Sequence, residues 1–343
     1  MRWLITNRNV TVSGFGTEFA EMTFWLQDKP TANTWDWSAW SQVTKDAFKA
    51  ALVTAADQFP PPLTTSLDQQ KQVTLLIHGY NNAWDAAMRL HDRVERNLYS
   101  GANSLGELVS FDWPSKGSLL GYLPDRSEAR QSAEDLSEVL SELYDWLSVK
   151  QAQAAKNPQD ACKAKTSLIA HSMGNYVLEC AMNYTWTQKN RPLLVSLLQE
   201  VLMVAADVDN DIFRSGETVE HDDGEGIANL CYRVTALYTG RDAVLGSSAG
   251  LKHFGKRRLG RSGLDRTCPV PDNVWDVDCS ALLNPKVDGM AIHGEYFADG
   301  EKAYGLMREI LLGVDRSVLI AEGQVPAANP RQQTVSSGPP GAS

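Results

Sequence analysis

Strand and helix signals alternate through most of this chain, and that alternation limits its fold more than any other feature. QVTLLIHGY is an apolar strand closing on glycine, AWDAAMRLHDRVERNLY a helix, and ELVSFDWP a second strand. TSLIAHS follows as a strand, GNYVLECAMNYTWTQ as a helix, EVLMVAADV, CYRVTALYTG and VWDVDCS as strands, and EKAYGLMREILLG as the final helix. Between ELVSFDWP and TSLIAHS, Asp125 with Glu128 predicts a capping box. It opens a helix whose apolar stripe is Leu136, Val139, Leu140, Leu143 and Leu147. Strands that are apolar along their whole length, rather than on alternate residues, are buried on both faces. The expected fold class is α/β, a mostly parallel central sheet with helices on both faces.

The flanks are less regular. Residues 1–30 alternate polar and apolar types around Gly14 and Gly16, which predicts one or two strands at a sheet edge, away from function. Trp35, Trp37 and Trp40 come next, expected to cover one end of the core rather than form an aromatic lip. A helix is predicted from about Ser41 to Gln58, stopped by Pro60, Pro61 and Pro62. From about residue 321 the chain is too poor in apolar residues to order itself and is expected to be a disordered tail. With no repeat and no clear linker, residues 1–320 are expected to form a single domain, with the strands and tryptophan-rich segment of 1–65 packed on it.

Composition narrows the partners. At 343 residues and 43% hydrophobic content the chain can bury a large core, and a net charge of -10 argues against nucleic acid, whose phosphates need a basic face. No apolar run approaches the ~20 residues of a membrane span, and the opening MRWLITNRNV lacks a signal-peptide core, so a cytoplasmic protein is expected. The five cysteines have no zinc-ligand spacing and are read as non-catalytic thiols, a Cys268–Cys279 bridge being the less favoured alternative.

In parallel sheets, chemistry gathers beyond the carboxyl ends of the strands. Ser172 follows TSLIAH there, with Ala170 two before it and Gly174 two after it. Small residues at both positions let a strand and a helix meet at a sharp turn that projects the serine oxygen. A serine hydroxyl needs a histidine to take its proton and a carboxylate to hold that histidine. His293, in GMAIHGEYF before the final helix, is the expected base, and Asp242, after the strand CYRVTALYTG, the expected acid, with Asp207 as runner-up. The oxyanion formed during attack requires backbone amides, predicted to be those of Met173 and Tyr80, with Asn81 as alternative donor. His78, Gly79, Asn81 and His171 are expected to line the substrate site, along with Leu119 and Tyr122 of a glycine-flanked apolar flap, WPSKGSLLGYL.

Two other signals are weaker. Asp207, Asp209 and Asp211 begin like a calcium loop, but Ile212 stands where glycine belongs, and the carboxylates are expected to cap a helix instead. The basic run KHFGKRRLGR either draws a substrate anion or, the simpler expectation, is a solvated loop.

LLIHGYNN, FDWPSKGSLLGYLPDRSEA, LIAHSMGNYVL, AADVDNDIF, YTGRDAVLG and HGEYF together resemble a bacterial group of α/β-hydrolases classed as a domain of unknown function, over about residues 70–315. The resemblance implies a lipase-like or esterase-like serine hydrolase and maps its serine to Ser172, its acid to Asp242 and its histidine to His293. A carboxylic ester of small-molecule type is the expected substrate, with no metal or organic cofactor. Thioesterase, acyltransferase and a non-catalytic scaffold of the same fold are the alternatives.

Overall fold

A nine-stranded sheet organises the computed structural model, which describes residues 1–325 apart from 29–32, 62–64, 116–121, 158–159, 190–195, 215–223, 252–254, 268, 301 and 324. The strands are β1 (Arg2–Thr11), β2 (Gly14–Gln27), β3 (Ser41–Val43), β4 (Gln72–Ile77), β5 (Gly106–Asp112), β6 (Lys165–His171), β7 (Leu198–Val204), β8 (Cys231–Tyr238) and β9 (Val274–Asp278). They lie in the order β3-β2-β1-β5-β4-β6-β7-β8-β9. Pairing is parallel from β1 across to β9 and antiparallel only where β2 joins β1 and β3. The helices are α1 (Lys45–Ala56), α2 (Trp84–Leu98), α3 (Tyr122–Ala154), α4 (Gly174–Lys189), α5 (Glu225–Leu230), α6 (Ala243–Leu251), α7 (Leu259–Ser262), α8 (Ala303–Leu312) and α9 (Arg316–Ala321).

Side chains alternate between the two faces of a strand, so an unbroken apolar run feeds two cores at once. On β6, Leu168 and Ala170 join the core under α3 and α4, whereas Ile169 joins the one under α2 and α8. A third cluster sits beside β1 and β2, where Phe15 packs on Trp84 at 4.2 Å and Trp40 on Trp84 at 6.2 Å between ring centroids. Trp35 and Trp37 pack against it, so the tryptophan-rich segment does cover an end of the core.

Several local expectations are corrected. β1 is interior to the sheet, between β2 and β5, because its parallel register with β5 (Trp3 opposite Val109, Thr6 opposite Asp112) leaves the edge to β3. The helix predicted from Ser41 begins at Lys45, since residues 41–43 pair with β2 and the Thr44 side chain accepts from the Ala47 amide as a cap. α3 starts at Tyr122, ahead of the predicted capping box, with Pro124 tolerated in its first turn. His91 of α2 is fully buried and its Nδ1 meets Ser110 Oγ of β5 at 2.7 Å. α9 follows the helix expected to be last. Val325 remains buried, and the rest of the expected tail, 326–343, lies outside the described residues.

Candidate active site

Ser172 stands at the junction of β6 and α4 with φ of +53°, in the left-handed region that non-glycine residues seldom occupy. The strand and helix come close enough that a Cβ on Gly174 would lie 2.4 Å from the His78 carbonyl oxygen and 2.8 Å from that of Ile77. Only glycine fits there. Asn175, fully buried, locks the turn by donating its side-chain amide to the carbonyls of Ala170 (3.0 Å) and Ser172 (3.1 Å).

Two far segments of chain converge on this bend. His293, on a 3-10 turn from Ala291 to Phe297, brings Nε2 to 2.8 Å from Ser172 Oγ and Nδ1 to 2.7 Å from Asp242 Oδ2. Asp242 is fully buried; its other oxygen accepts from the Leu245 amide at 3.0 Å, and its carbonyl accepts from Arg261 Nη1. A carboxylate held by α6 on one side and by an imidazole on the other has little freedom to turn away. His171 acts on the same imidazole from behind. Its Nε2 lies 3.1 Å from the His293 carbonyl oxygen, and burial first, the His293 ring second, push its own imidazole down to about 3. A neutral His171 donates to that carbonyl and adds no charge beside His293.

The loop after β4 lies directly against the serine, where a Cβ on Gly79 would come within 2.6 Å of Ser172 Cβ. Tyr80 and Asn81, the latter at φ of +61°, form its turn. Asn82 shapes that turn by donating Nδ2 to the carbonyls of Gly79 (2.9 Å) and Tyr80 (3.3 Å). Across the bend is Met173, whose amide opens the first turn of α4, where helix N–H groups have no carbonyl partner within the helix. Met173 thus follows Ser172 directly in the chain, and Tyr80 follows the glycine that abuts it.

Behind the loop lies a buried charge network that sequence reasoning missed. Arg8, at the carboxyl end of β1, is wholly buried; its Nε donates to Asp112 Oδ2 at 2.8 Å, Nη1 to the Gly16 carbonyl at 3.1 Å and Nη2 to the Asn82 carbonyl at 2.8 Å. Asp112 also faces His78 Nε2 at 2.9 Å. Burial alone would raise the Asp112 carboxyl, but the guanidinium and the imidazole together hold it below its usual range. His78, expected to line the substrate site, is instead 3% exposed and stacked on Trp113 with centroids 5.3 Å apart. It supports the loop from inside, as His171 (8% exposed) supports His293. β1, expected to be remote from function, thus reaches the carboxyl edge of the sheet beside Ser172.

Asp207, the alternative acid, is directed elsewhere: Oδ1 takes Ser248 Oγ at 2.9 Å and Arg258 Nε at 2.8 Å. Arg258, from the basic run expected to be solvated, is 1% exposed and also contacts Asp209, while Lys256 pairs with Asp209 at 3.0 Å. Asp207 and Asp209 of the calcium-like loop are thereby paired with cations, and Asp211 lies 3.6 Å from Arg214, so none of the three is taken up by a helix cap. No group of three or more His, Cys, Asp or Glu side chains among the described residues is arranged to hold a metal ion. Cys231 and Cys279 are buried thiols raised above their usual range by that burial; Cys268 lies outside the described residues. So does Leu119, and of Tyr122 only its place at the start of α3 is described. No helix among the described residues is long and apolar enough to cross a membrane.

A mostly parallel sheet covered on both faces, with a sharp strand-to-helix turn at its carboxyl edge, defines an α/β hydrolase. A family profile described as an alpha/beta hydrolase of unknown function (DUF900) matches residues 58–269, and the chain belongs to that family. Among solved structures it is similar to Aspergillus fumigatus lipase B at 12% identity, covering 78% of this chain and 57% of the lipase, with a TM-score of 0.38. A Pyrobaculum calidifontis esterase aligns at 10% identity over 79% of this chain and 90% of the esterase, also at 0.38. A Pyrococcus horikoshii acylaminoacyl peptidase aligns at 13% identity over 86% of this chain and 46% of the peptidase, with a TM-score of 0.31. The chain thus spans little more than half of the lipase and less than half of the peptidase. Among curated proteins, none matches its sequence.

Proposed function

We propose that this chain is a serine hydrolase that cleaves a carboxylic ester of a small molecule through an acyl-enzyme intermediate. The observation that carries the proposal is the unbroken path from Ser172 Oγ through His293 to Asp242, at 2.8 and 2.7 Å. Ser172 Oγ attacks the ester carbonyl while its proton passes to His293 Nε2, and Asp242 stabilises the imidazolium that forms. The negative oxygen of the tetrahedral intermediate sits between the amides of Met173 and Tyr80. Collapse breaks the C–O bond, and His293 returns the proton to the departing alkoxide as alcohol. Water then attacks the acyl-enzyme, losing a proton to His293, and the acid leaves as Ser172 regains its hydrogen. Thioesters and acyl transfer to an alcohol use the same groups, differing only in leaving group or acceptor.

The test is a fluorophosphonate probe with peptide mapping, followed by p-nitrophenyl esters of graded chain length. Labelling at Ser172, absent in Ser172→Ala and weakened in His293→Ala, is the expected result. A folded protein that takes no label is a binding scaffold, not a hydrolase. If the flap at 113–123 lines the acyl site, Leu119→Ser and Tyr122→Ser shift the preferred chain length; an unchanged preference removes that role.

A further inference from the structure

A cavity lies on the face of the sheet beneath α1 and α3, with a volume of about 180 Å³. Its floor is the amino-terminal half of the parallel strands, including Val73, Leu75 and Val109, and its walls include Phe48 and Leu52 of α1 and Leu143 of α3. None of Ser172, Asp242, His293, Met173 or Tyr80 lines it. From Ser167 in its wall to Ser172 is five residues of extended chain, roughly 16 Å at about 3.3 Å per residue. Phe111, Trp113, Ala133, Leu136 and Met173 belong to the packed core on the same face.

The cavity wall is mostly apolar and offers water few partners. The hydroxyls in its wall are already engaged, Thr166 Oγ1 with the Leu197 carbonyl at 2.7 Å and Ser167 Oγ with Gln72 Oε1 at 2.5 Å, and the Cys162 thiol points to the Ala164 carbonyl at 3.2 Å. A water needs two or more polar partners, and an apolar cavity of about 150 Å³ stays dry yet accepts benzene or xenon. Charge is confined to the rim. There Lys45 meets Glu138 at 2.8 Å and Glu142 at 2.6 Å, and Lys49 lies 3.8 Å from Glu142. Two cations and two carboxylates cancel, so an ionic head group finds no unmatched charge. The pairs are 36–54% exposed and join α1 to α3 only weakly, so a guest can enter between the two helices.

We infer that this cavity is a binding site for a small uncharged lipophile, of about the size of a substituted benzene or a short alkyl chain, separate from the serine site. The test titrates the full-length protein with toluene, 1-hexanol and hexanoate by calorimetry, and maps xenon in a pressurised crystal. Two filled variants, Leu52→Trp from α1 and Val139→Phe from α3, narrow the cavity from opposite walls. The expected result is saturable one-to-one binding of toluene and 1-hexanol, weakened at least tenfold in each filled variant, with xenon beside Leu52 and Leu75. Hexanoate binds more weakly than 1-hexanol. Binding that survives both fillings, a preference for hexanoate, or no xenon and no heat overturns the inference. If one variant fails to fold, the other and the xenon map decide. None of these readouts depends on whether Ser172 reacts with a fluorophosphonate, so the two proposals fail separately.

Discussion

Ser172 bears a conformational cost that comes with its position. A φ of +53° places an L-residue where Cβ crowds the backbone, a penalty of roughly 1–2 kcal/mol that glycine escapes. Ser172→Gly and Ser172→Ala both remove the hydroxyl, so both should lose fluorophosphonate labelling. The glycine variant is expected to be the more stable of the two by up to about 1 kcal/mol, read from urea unfolding. Equal stabilities would mean that the bend relaxes without glycine. His171 sets a second expectation, in pH. Folding drives its imidazole from an ordinary value of 6.5 down to about 3, so between those values the unfolded chain takes up a proton that the native state refuses. This contribution to stability is complete above about pH 6.5 and is lost as the pH falls toward 3. Unfolding free energies measured from pH 7.5 to 5 should therefore decline, at up to about 1.4 kcal/mol per unit, and His171→Phe should flatten the slope.

At the scale of elements, the argument turns on β1, whose Arg8 reaches from the antiparallel side of the sheet to the loop beside Ser172. Removing one member of a buried ion pair strands the other, at about 3–5 kcal/mol. Arg8→Met is expected to lose that much stability, and Arg8→Met with Asp112→Leu to regain most of it, since no charge is left unpaired. Neither restores the hydrogen bond to Asn82, so ester turnover should stay low in both while KM changes little. Recovery of turnover in the double variant would show that Arg8 does not position the loop. This is also where legibility in the sequence ends. The apolar strands, the helices between them and the Ser172, Asp242, His293 order can be read because parallel sheets demand continuous hydrophobic runs and put chemistry after them. The Arg8–Asp112 pair spans 104 residues, and nothing in TNRNV marks its arginine as buried. Arg258 hides for the same reason: a charge run reads as solvated until its carboxylates are located in space.

For the molecule as a whole, the family match begins at residue 58, whereas the sheet begins with β1. Without β1 to β3, β5 would become an open edge and Asp112 would lose the Arg8 guanidinium. We therefore expect residues 1–320 to behave as one domain. A chain starting at residue 58 should aggregate on size exclusion or melt far below the full-length protein. If it stayed monomeric with an unchanged Tm, the N-terminal strands would be a separable addition.

The place of β1 also bears on synthesis. Trp3 pairs with Val109, so on a ribosome this strand emerges roughly 100 residues before its parallel neighbour, about 5–20 s at about 5–20 residues per second. During that interval the β1–β2 hairpin exposes Trp3, Leu4 and Ile5 along a bare hydrogen-bonding edge. A nascent chain stalled before residue 106 is accordingly the species to which holdase chaperones should bind most tightly, releasing it once β5 has been made.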